Sequence, residues 1–410
     1  MLKKLFIVGS AFFAINGNAA NNTLRFLVLS DIYLNSKQSY PMQIDPSGYN
    51  ADNDMDAASF NALMNTIQKS TGQGKVIPAP TFVLSLGDLV GHKPFWTFNR
   101  VKFVQMNEST IFKSLQQTFP MTPIINVFGN NDSFAENYGA YQYKNYSPYQ
   151  NAIKTGFKNG FLSSGVLCDA SHTSFPCLAQ ENKQYGFFTI KLAPTLIVIG
   201  LNSVMFSPNH KATSDETNSQ LTFLANQLQK AAKENISVLI AMHIPVGENV
   251  YDGSAFWKKP YQQKLLKLVD QYAKQIQGLL VAHTHMEEFT VIKTQSKNIG
   301  EYFTAGLSTS HGNSPSVKLF TLTKQDNGTW SISNYTTYQI HQQNEQLQLT
   351  KYYDFKKIYC TEKQKKANDI NQCLAQITFN QTQPYFTVNN PNYQNYPTKA
   401  PEAFYVKAAK

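Results

Sequence analysis

The sequence predicts an α/β fold in which helices flank two packed, mixed β-sheets, with an appendage at the C-terminus. Three observations support this. In the first half, apolar runs that end in an acidic or amide residue alternate with segments of helix-like spacing. The same alternation of strand-like and helix-like segments is found in the second half. Between Phe289 and Tyr338 the pattern changes to short antiparallel strands. The 410 residues suffice for one large domain with an appendage.

The first half has three strand-like runs, separated by two helix-like segments around 57–70 and 109–117. The runs are LRFLVLSD, TFVLSLGD and PIINVFGN. Strands alternating with helices are typical of a mostly parallel sheet with helices on both faces. Ligands of such sheets bind beyond the carboxyl ends of the strands, where these Asp and Asn residues fall.

The second half predicts a strand pair joined at Ala193 and Pro194, then helices and strands in turn. The helix after that pair carries Leu221, Leu224 and Leu228 on one face, and another is predicted over 262–277. The strand-like runs in chain order are YGFFTIKL, TLIVIGLN, SVLIAMH, GLLVAHTH, VKLFTLT and TWSISNYTTY.

The predicted organisation is a signal peptide at 1–20, a catalytic domain at 21–341 and a partly helical appendage at 342–410. Lys3 and Lys4 precede the short apolar run LFIVGSAFFAI and the small residues GNAA, a pattern typical of an export signal. That run is too short to span a bilayer. We therefore expect a secreted or periplasmic protein. The appendage is predicted to hold a helix near 362–377 and an irregular aromatic tail.

Four cysteines allow three pairings, and in an oxidising compartment we expect local disulfides, Cys168 with Cys177 and Cys360 with Cys373. The net charge of +10 comes almost wholly from lysine, which indicates a lysine-coated surface. No clustered basic and aromatic array is present, so we expect no nucleic-acid partner. We expect a monomer.

Five polar clusters lie at the predicted strand ends, and together they point to a metal site. Carboxylate, amide and imidazole groups suit hard and borderline divalent metals. Side chains two residues apart in an extended chain project to the same side, so each such pair is expected to reach a shared site. The clusters are Asp31 with Tyr33, Gly87–Asp88, Gly129–Asn130–Asn131–Asp132, His243, and His283 with His285.

In this order the clusters resemble the calcineurin-like metallophosphoesterase signature, and the chain shows them as SDIY, LGDLV, FGNND, MHIP and AHTH. Further strings resemble acid sphingomyelinase-like phosphodiesterases: LNSVMFSPN, QLTFLANQL, HIPVGENV, HTHMEEF and HGNSPSVKLF. The resemblance covers about residues 24–340. It implies a four-layer sandwich fold and hydrolysis of phosphodiesters with two divalent metal ions, zinc in this branch.

The resemblance also implies which residues bind each metal. Asp31, residue 33 and His285 would hold one ion, and Asp88 would bridge the two. Asn130, His243 and His283 would hold the other. Two such ions lower the pKa of a water molecule and clamp phosphate oxygens during in-line attack.

The chain departs from the family at the catalytic acid. The family has a histidine at position 131, supported by its acidic neighbour, here Asp132. Asn131 cannot donate an ionisable proton, so we expect it to hydrogen-bond a phosphate oxygen. The sphingomyelinase-like branch also carries a histidine four residues after the GD aspartate, here His92. A histidine is a workable acid at mildly acidic pH, so His92 is the predicted proton donor, and a loop-capping role is the alternative.

The second departure is Tyr33, where the family has a metal-binding histidine. A neutral phenol is a poor zinc ligand. Tyr33 either ligates directly, packs beside a three-ligand metal, or marks a weak site that is often empty; we favour the second interpretation. His311 matches no metal position and is expected to be structural or substrate-facing. Asn202 is expected to support the fold.

The predicted partner is a phosphodiester, either a lipid head group or a soluble nucleotide or phosphocholine ester. Transient contact with a membrane surface is compatible with the aromatic tail. The saposin-like module of membrane-acting sphingomyelinase is not found before the catalytic sequence, which favours water-accessible esters. The alternative function is a degenerate binding protein with the same fold, supported by Tyr33 and Asn131.

Overall fold

The structure is a computed structural model that describes residues 22–39, 41–42, 54–93, 99–169, 174–386 and 400–408. The predicted signal peptide at 1–20 and most of the aromatic tail lie outside these residues. Among the described residues, no helix is both long and apolar enough to cross a membrane.

The first sheet has six strands and forms where apolar, β-branched runs pair on both edges of the N-terminal strand. Its three N-terminal strands pair in parallel, and the other three are added beside the first strand, each antiparallel to its neighbour. Numbered along the chain, the strands in spatial order are β13 (Gln346–Asp354), β12 (Trp330–Gln343), β11 (Ser316–Lys324), β1 (Thr23–Leu29), β2 (Phe82–Ser85) and β3 (Ile124–Asn126). Leu29 pairs with Ser85 and Ser85 with Asn126, so the three parallel strands end side by side.

The second sheet has eight strands and is also mixed. Its four central strands run parallel, and antiparallel strands flank them. The spatial order is β14 (Tyr405–Lys407), β9 (Phe289–Lys293), β10 (Asn298–Phe303), β8 (Ile276–Val281), β7 (Ser237–Met242), β6 (Leu196–Leu201), β5 (Phe187–Ala193) and β4 (Cys177–Asn182).

The two sheets pack face to face, with helices on the outer faces. Alternation along β6 shows this, because Leu196 and Val198 belong to the core between the sheets, whereas Ile197 and Ile199 face the outer helices. The helices are α1 (Ala57–Ser70), α2 (Arg100–Thr118), α3 (Pro148–Lys154), α4 (Ser214–Lys233), α5 (Lys259–Gln271), α6 (Phe355–Tyr359), α7 (Glu362–Lys365) and α8 (Phe379–Phe386). The predicted α/β architecture of two packed mixed sheets flanked by helices is confirmed.

Several helix bounds differ from the prediction. The helix predicted over 262–277 ends at Gln271, because Ile276 already begins β8. The predicted helix near 362–377 is wrong. Helix α7 ends at Lys365, and a separate 3-10 turn at Ile370–Gln376 begins where the Asp369 side chain accepts the backbone N–H of Asn371.

Both expected disulfides are present, Cys168–Cys177 and Cys360–Cys373. The second links the end of α6 to that 3-10 turn.

The segment predicted as an appendage packs on both sheets. Strand β13 extends the first sheet and β14 pairs with β9 of the second. The predicted boundary at residue 341 falls within β12. The division into a catalytic domain and an appendage stays a prediction.

Candidate metal centre

The predicted site residues meet where loops from the two sheets approach each other. Asp31, Asp88 and Asn130 follow strands β1, β2 and β3 of the first sheet, and His243 and His283 follow β7 and β8 of the second. Backbone hydrogen bonds join the loops: Ser308 N donates to Asp31 O at 3.0 Å, and Ala282 N donates to His243 O at 3.0 Å. The His283 N–H crosses between sheets to Asp31 Oδ2 at 3.3 Å.

The backbone at the site adopts the left-handed conformation at unusually many non-glycine residues. Among the described residues, ten non-glycine residues have positive φ, and half of them are predicted site residues: Asp31, Tyr33, Asp88, His283 and His285. Such conformations cost energy and cluster at functional sites. The expectation that the pairs 31/33 and 283/285 lie in extended chain is therefore wrong, because these residues lie in loops beyond the strand ends and have positive φ.

The glycines of the GD and GN sequences allow their two loops to touch. A β-carbon on Gly87 would lie 2.4 Å from Gly129 N, and Gly87 has a φ of +92°. A β-carbon on Gly129 would lie 2.2 Å from Asp88 Oδ1. Both contacts are too short for any other residue, so these glycines bring Asp88 and Asn130 together.

One half of the site pairs Asp31 with His285, and both are fully buried. Asp31 Oδ1 lies 3.4 Å from His285 Nε2, and neither atom has a hydrogen-bond partner in the described part of the chain. Burial raises the pKa of Asp31 to about 7 and lowers that of His285 well below its ordinary value. A cation between these two atoms would satisfy both.

The other half groups Asp88, His243 and His283, whose ligand atoms all lie within 4.8 Å of one another. His243 Nδ1 lies 2.8 Å from the carbonyl oxygen of Leu86, an acceptor, so this nitrogen carries the proton. Nε2 is thereby left to face Asp88 Oδ2 at 3.3 Å and His283 Nδ1 at 3.3 Å. Fixing the ring through its other nitrogen is the usual arrangement of a metal-binding histidine.

The charges around Asp88 also favour a cation. Burial opposes ionisation of Asp88, but His243 and the hydrogen bonds to the carboxylate hold its pKa below the usual range. Burial likewise lowers the pKa of His243, yet Asp88 outweighs it and raises that pKa to about 9. Burial, then His243, lower the pKa of His283 to about 3, leaving a neutral ring that can donate a lone pair.

Asn130 offers an oxygen to the same region. Its Nδ2 donates to Asn137 Oδ1 at 2.8 Å, whereas its buried Oδ1 lacks a partner among the described residues. Unsatisfied buried oxygens are rare and call for an explanation. Oxygen and imidazole donors with unsatisfied atoms fit divalent metal ions, including zinc. The assignment of individual ligands to two ions stays a prediction.

Tyr33 contacts the site through a hydrogen-bond network. Its hydroxyl donates to Asp88 Oδ2 at 3.0 Å and accepts from Asn131 Nδ2 at 3.0 Å. Its ring packs edge-on against His285, with centroids 4.6 Å apart. Burial, then Asp88 and Asp31, raise the pKa of Tyr33 well above its ordinary value, so the phenol stays neutral. This arrangement corresponds to the interpretation in which Tyr33 packs beside the metal.

Asn131 and Asp132 act mainly on neighbouring protein groups. Asn131 donates to Asp88 Oδ2 at 2.9 Å through Nδ2, and its Oδ1 is buried without a described partner. Asp132 accepts backbone N–H groups from Gly129 at 2.7 Å, Leu89 at 2.7 Å and Asp88 at 3.0 Å. Asp132 therefore holds the GD and GN loops together.

His92 lies at the edge of the site and is 59% exposed. Its Nδ1 is 3.0 Å from Asp54 Oδ1, and its backbone N–H donates to Asp54 Oδ2 at 2.6 Å. Its ring centroid is 5.3 Å from that of Tyr33. The hydrogen bond that the His92 ring donates to Asp54 is the main cause that raises the pKa of His92.

A cavity of about 630 Å³ opens beside the site. Its lining includes the predicted ligand His283, the apolar Phe256 and the exposed His311, whose ring is 4.2 Å from that of His285. Asn202 lies elsewhere, where its side chain caps the 3-10 turn at Ser203–Phe206 and donates to Tyr185 O.

Sequence reasoning missed two residues at this site. Asp54 pairs with His92 from 38 residues upstream, and Tyr138 places its hydroxyl 3.4 Å from His283 Nε2. Neither follows a strand end in a motif. The run NDMD before helix α1 was a usable signal for Asp54, because an acidic residue precedes the N-cap, Asp56.

One protein family and several known proteins resemble this chain. The sequence pattern of the calcineurin-like phosphoesterase family matches residues 24–287. Among solved structures, a dimetal phosphatase from Danio rerio superimposes with a TM-score of 0.48 and 11% identity, covering 80% of this chain and 99% of that one.

Three curated relatives are similar in sequence. Sphingomyelinase phosphodiesterase D of Dictyostelium discoideum is 25% identical over 295 residues, 68% of this chain and 61% of that protein. Cyclic GMP-AMP phosphodiesterase SMPDL3A of Bos taurus is 24% identical over 263 residues, covering 60% and 54%. Acid sphingomyelinase-like phosphodiesterase 3b of Mus musculus is 22% identical over 370 residues, covering 83% and 75%.

The chain spans 61% of the first of these relatives and 54% of the second. The family pattern itself covers well over half of the chain, from β1 through β8 to the loop that carries His283 and His285. On this match, the chain belongs to the calcineurin-like phosphoesterase family.

Proposed function

We propose that this chain is an exported phosphodiesterase of the acid sphingomyelinase-like type, which hydrolyses phosphodiester bonds with two divalent metal ions, zinc by preference. The observation that carries the proposal is the meeting of Asp31 and Asp88 with three imidazoles at one buried place. Its unsatisfied oxygen and nitrogen atoms fit cations. Such a pair of metal ions supplies an activated water and stabilises charge on the phosphate.

The protein residues have different roles around the substrate. Asp31 and His285 would hold one ion; Asn130, His243 and His283 would hold the other; and Asp88 would contact both. Asn131 would position the Asp88 carboxylate, because its Nδ2 donates to Asp88 Oδ2 and to the Tyr33 hydroxyl and its backbone N–H donates to Asp88 Oδ1 at 2.8 Å.

His92 is the proposed proton donor to the leaving alkoxide. A donor at this step must reach solvent to be reprotonated, and His92 is the exposed imidazole of the His92–Asp54 pair. Asp54 fixes the ring through Nδ1, so Nε2 is left for the substrate. Because Asp54 raises the pKa of His92, the acid form persists to higher pH than in a free histidine.

The proposed substrate is a water-accessible phosphodiester. The cavity beside His283 combines the aromatic Tyr138 and Phe256 with the amides Asn209 and Asn249. Such a mixed lining suits a polar ester with one apolar or aromatic group better than a diacyl lipid. A sphingomyelin head group presented at a membrane surface is the alternative within the same reaction class.

Export is part of the proposal. Two disulfides within the described chain are typical of proteins that fold in an oxidising compartment.

A second candidate function is ligand binding without turnover. The hydrogen bond from the Tyr33 hydroxyl to Asp88 Oδ2 supports it, because this bond takes up an oxygen atom at the predicted bridging position.

A substrate panel separates the two functions. Zinc-loaded protein is assayed with sphingomyelin in vesicles, a nucleotide diphosphate ester and a chromogenic phosphodiester. Hydrolysis of the soluble esters supports the proposal, and hydrolysis of sphingomyelin alone would replace the substrate class. No turnover of any of the three with zinc bound would favour the binding protein.

A further inference from the structure

A short segment outside the signature touches two residues proposed to bind the same metal ion. Asn137 Oδ1 accepts the Asn130 side-chain amide at 2.8 Å, which leaves Asn130 Oδ1 free to face a cation. The next residue, Tyr138, donates its backbone N–H to Asn130 O at 3.0 Å. Its hydroxyl lies 3.4 Å from His283 Nε2, the ring nitrogen opposite the one that faces His243.

The position of Tyr138 is costly to maintain. Its φ is +57°, a left-handed conformation that a bulky side chain rarely adopts. Such a residue stays in place only when its surroundings hold it there.

His210, from a different part of the chain, fixes Tyr138 in this conformation. Its Nδ1 lies 2.7 Å from the carbonyl oxygen of Tyr138, and its Nε2 lies 3.2 Å from Glu216 Oε1. The ring is 5% exposed. Glu216 is itself fixed, because it forms the capping box of helix α4 with Thr213.

Both ring nitrogens of His210 thus face oxygen atoms that can only accept hydrogen bonds. A neutral imidazole has a single N–H and cannot satisfy both; only the imidazolium can. We infer that His210 and Glu216 are positioning residues, and that protonated His210 holds Tyr138 where it orients Asn130 and His283 for their metal ion. The inference rests on the metal centre of the proposed function, not on its hydrolytic activity.

The groups that face His210 support this protonation state. Burial opposes the charge, but the Glu216 hydrogen bond and the Tyr138 carbonyl outweigh it, so the pKa of His210 is raised. The Lys258 ammonium, which donates to His210 O at 2.6 Å, opposes the charge. Since the folded pKa is raised, the contact is complete at acidic pH and is lost as the pH rises through that pKa.

When His210 loses its proton, one of its two hydrogen bonds is lost. The remaining N–H is expected to stay on Glu216, because hydrogen bonds to a carboxylate are stronger than those to a neutral carbonyl. The Nδ1 lone pair would then face the Tyr138 carbonyl and repel it. Tyr138 would lose its anchor, and the site of Asn130 and His283 would loosen.

Two amide variants separate the two bonds of His210. In His210→Asn the amide nitrogen replaces Nδ1 and can still donate to Tyr138 at any pH. In His210→Gln it replaces Nε2 and can reach only Glu216. Zinc binding is measured at both sites by competition with a chromophoric chelator between about pH 5 and about pH 9, on either side of the ordinary histidine pKa. Every zinc constant is compared with that of the wild type at the same pH, because all imidazole ligands also titrate.

We expect His210→Gln to weaken one of the two zinc sites by about tenfold at about pH 5, the effect of removing an outer partner of a metal ligand. The difference in zinc affinity between His210→Gln and the wild type should become smaller as the pH rises, because the wild type then loses its own hydrogen bond from His210 to Tyr138. His210→Asn should match the wild type at acidic pH and bind more tightly than it at alkaline pH.

A control variant keeps the inference testable if His210→Gln does not fold. Glu216→Gln retains the helix cap but removes the charge, so it should move the pH transition of zinc affinity downward. Wild-type affinity of His210→Gln at about pH 5 would overturn the inference. So would equal weakening of both zinc sites, or equal weakening by the Asn and Gln variants. If the zinc affinities change as expected but the protein hydrolyses no phosphodiester, the proposed function is rejected and the inference about His210 stands.

Discussion

In the proposed two-metal centre, the Tyr33 side chain would determine how many ligands the protein offers at the Asp31 half. Its phenol stays neutral, because burial and the carboxylates of Asp88 and Asp31 raise its pKa well above the ordinary value. The hydroxyl therefore acts as a hydrogen-bond donor to Asp88. With a neutral phenol, Asp31, Asp88 and His285 would be the protein groups left for that ion.

Replacing Tyr33 tests this role. Tyr33→His should bind zinc more tightly at the Asp31 half, because a neutral imidazole offers the ligand that the phenol does not. Tyr33→Phe should keep the wild-type zinc affinity and lose about 1 kcal/mol of stability with its hydrogen bonds. Metal analysis after equilibrium dialysis measures the zinc bound by both variants. Loss of one zinc ion from Tyr33→Phe would show that the phenol ligates directly, and equal, full occupancy in wild type and Tyr33→His would rule out a weak site.

The His92–Asp54 pair gives the second test at this scale. His92→Ala should lower turnover by about 10²–10⁴-fold with zinc content unchanged, because it removes the proton donor but no ligand. Asp54→Asn should lower the pKa of His92, so activity should be lost at a lower pH than in the wild type as the pH rises. The pH profile of kcat/KM measures this shift. His341→Ala, on β12, serves as a histidine control, and wild-type turnover in His92→Ala would exclude the role.

At the scale of elements, the site depends on turns that follow the strands more than on the strands themselves. Strands β1, β2 and β3 end side by side, and residues with left-handed conformations follow β1 and β2, among them the site residues Asp31 and Asp88. The GD and GN turns approach so closely that only glycine fits at Gly87 and Gly129.

A matched pair of glycine variants separates strain from close approach. Gly87 and Gly328 both have positive φ, +92° and +83°, but a β-carbon on Gly328 meets nothing within 4 Å. Gly328→Ala should therefore cost only the left-handed penalty of about 1–2 kcal/mol. Gly87→Ala should cost about 1–3 kcal/mol more, because the β-carbon overlaps Gly129. Urea unfolding gives both free energies, and equal costs would contradict the close contact.

The elements also show which features the sequence could predict. Strand ends and the helix over 57–70 were predictable, because apolar periodicity is local and α1 has its Asp56 cap. The helix near 362–377 was not, because its charged and polar residues fit a helix while the break comes from Asp369 and the Cys360–Cys373 bridge. Ligand candidates were readable from their motifs. Tyr138 and His210 were not, because long-range folding alone brings them near the ligands, and for Asp54 the only signal was the acidic run before α1.

At the scale of the molecule, a buried polar network joins the two sheets next to the site. Lys318 on β11 of the first sheet donates to Glu287 Oε1 at 2.8 Å, and its ammonium lies 4.4 Å from the centre of the Tyr335 ring. Tyr353 on β13 donates to the same oxygen at 2.7 Å. Glu287 is two residues beyond His285, so the C-terminal strands support the loop that carries both site histidines.

Breaking this network should destabilise the whole fold. Lys318→Met leaves the Glu287 carboxylate buried without its ion-pair partner, which typically costs about 3–5 kcal/mol. Adding Glu287→Gln removes the stranded charge, so the double variant should recover much of that loss. Urea unfolding of the single and double variants measures the coupling. A cost below about 1 kcal/mol for Lys318→Met would mean that the pair contributes little.

Zinc titration of phosphodiester turnover is the most direct test of two-metal hydrolysis. Metal-free protein is titrated with zinc while hydrolysis of a chromogenic phosphodiester and the bound zinc are followed together, with Asp88→Asn as the control. We predict that turnover rises with the second equivalent of bound zinc and that Asp88→Asn loses both the second equivalent and the activity. Two equivalents bound without hydrolysis of the chromogenic ester, a nucleotide diphosphate ester or sphingomyelin would contradict it.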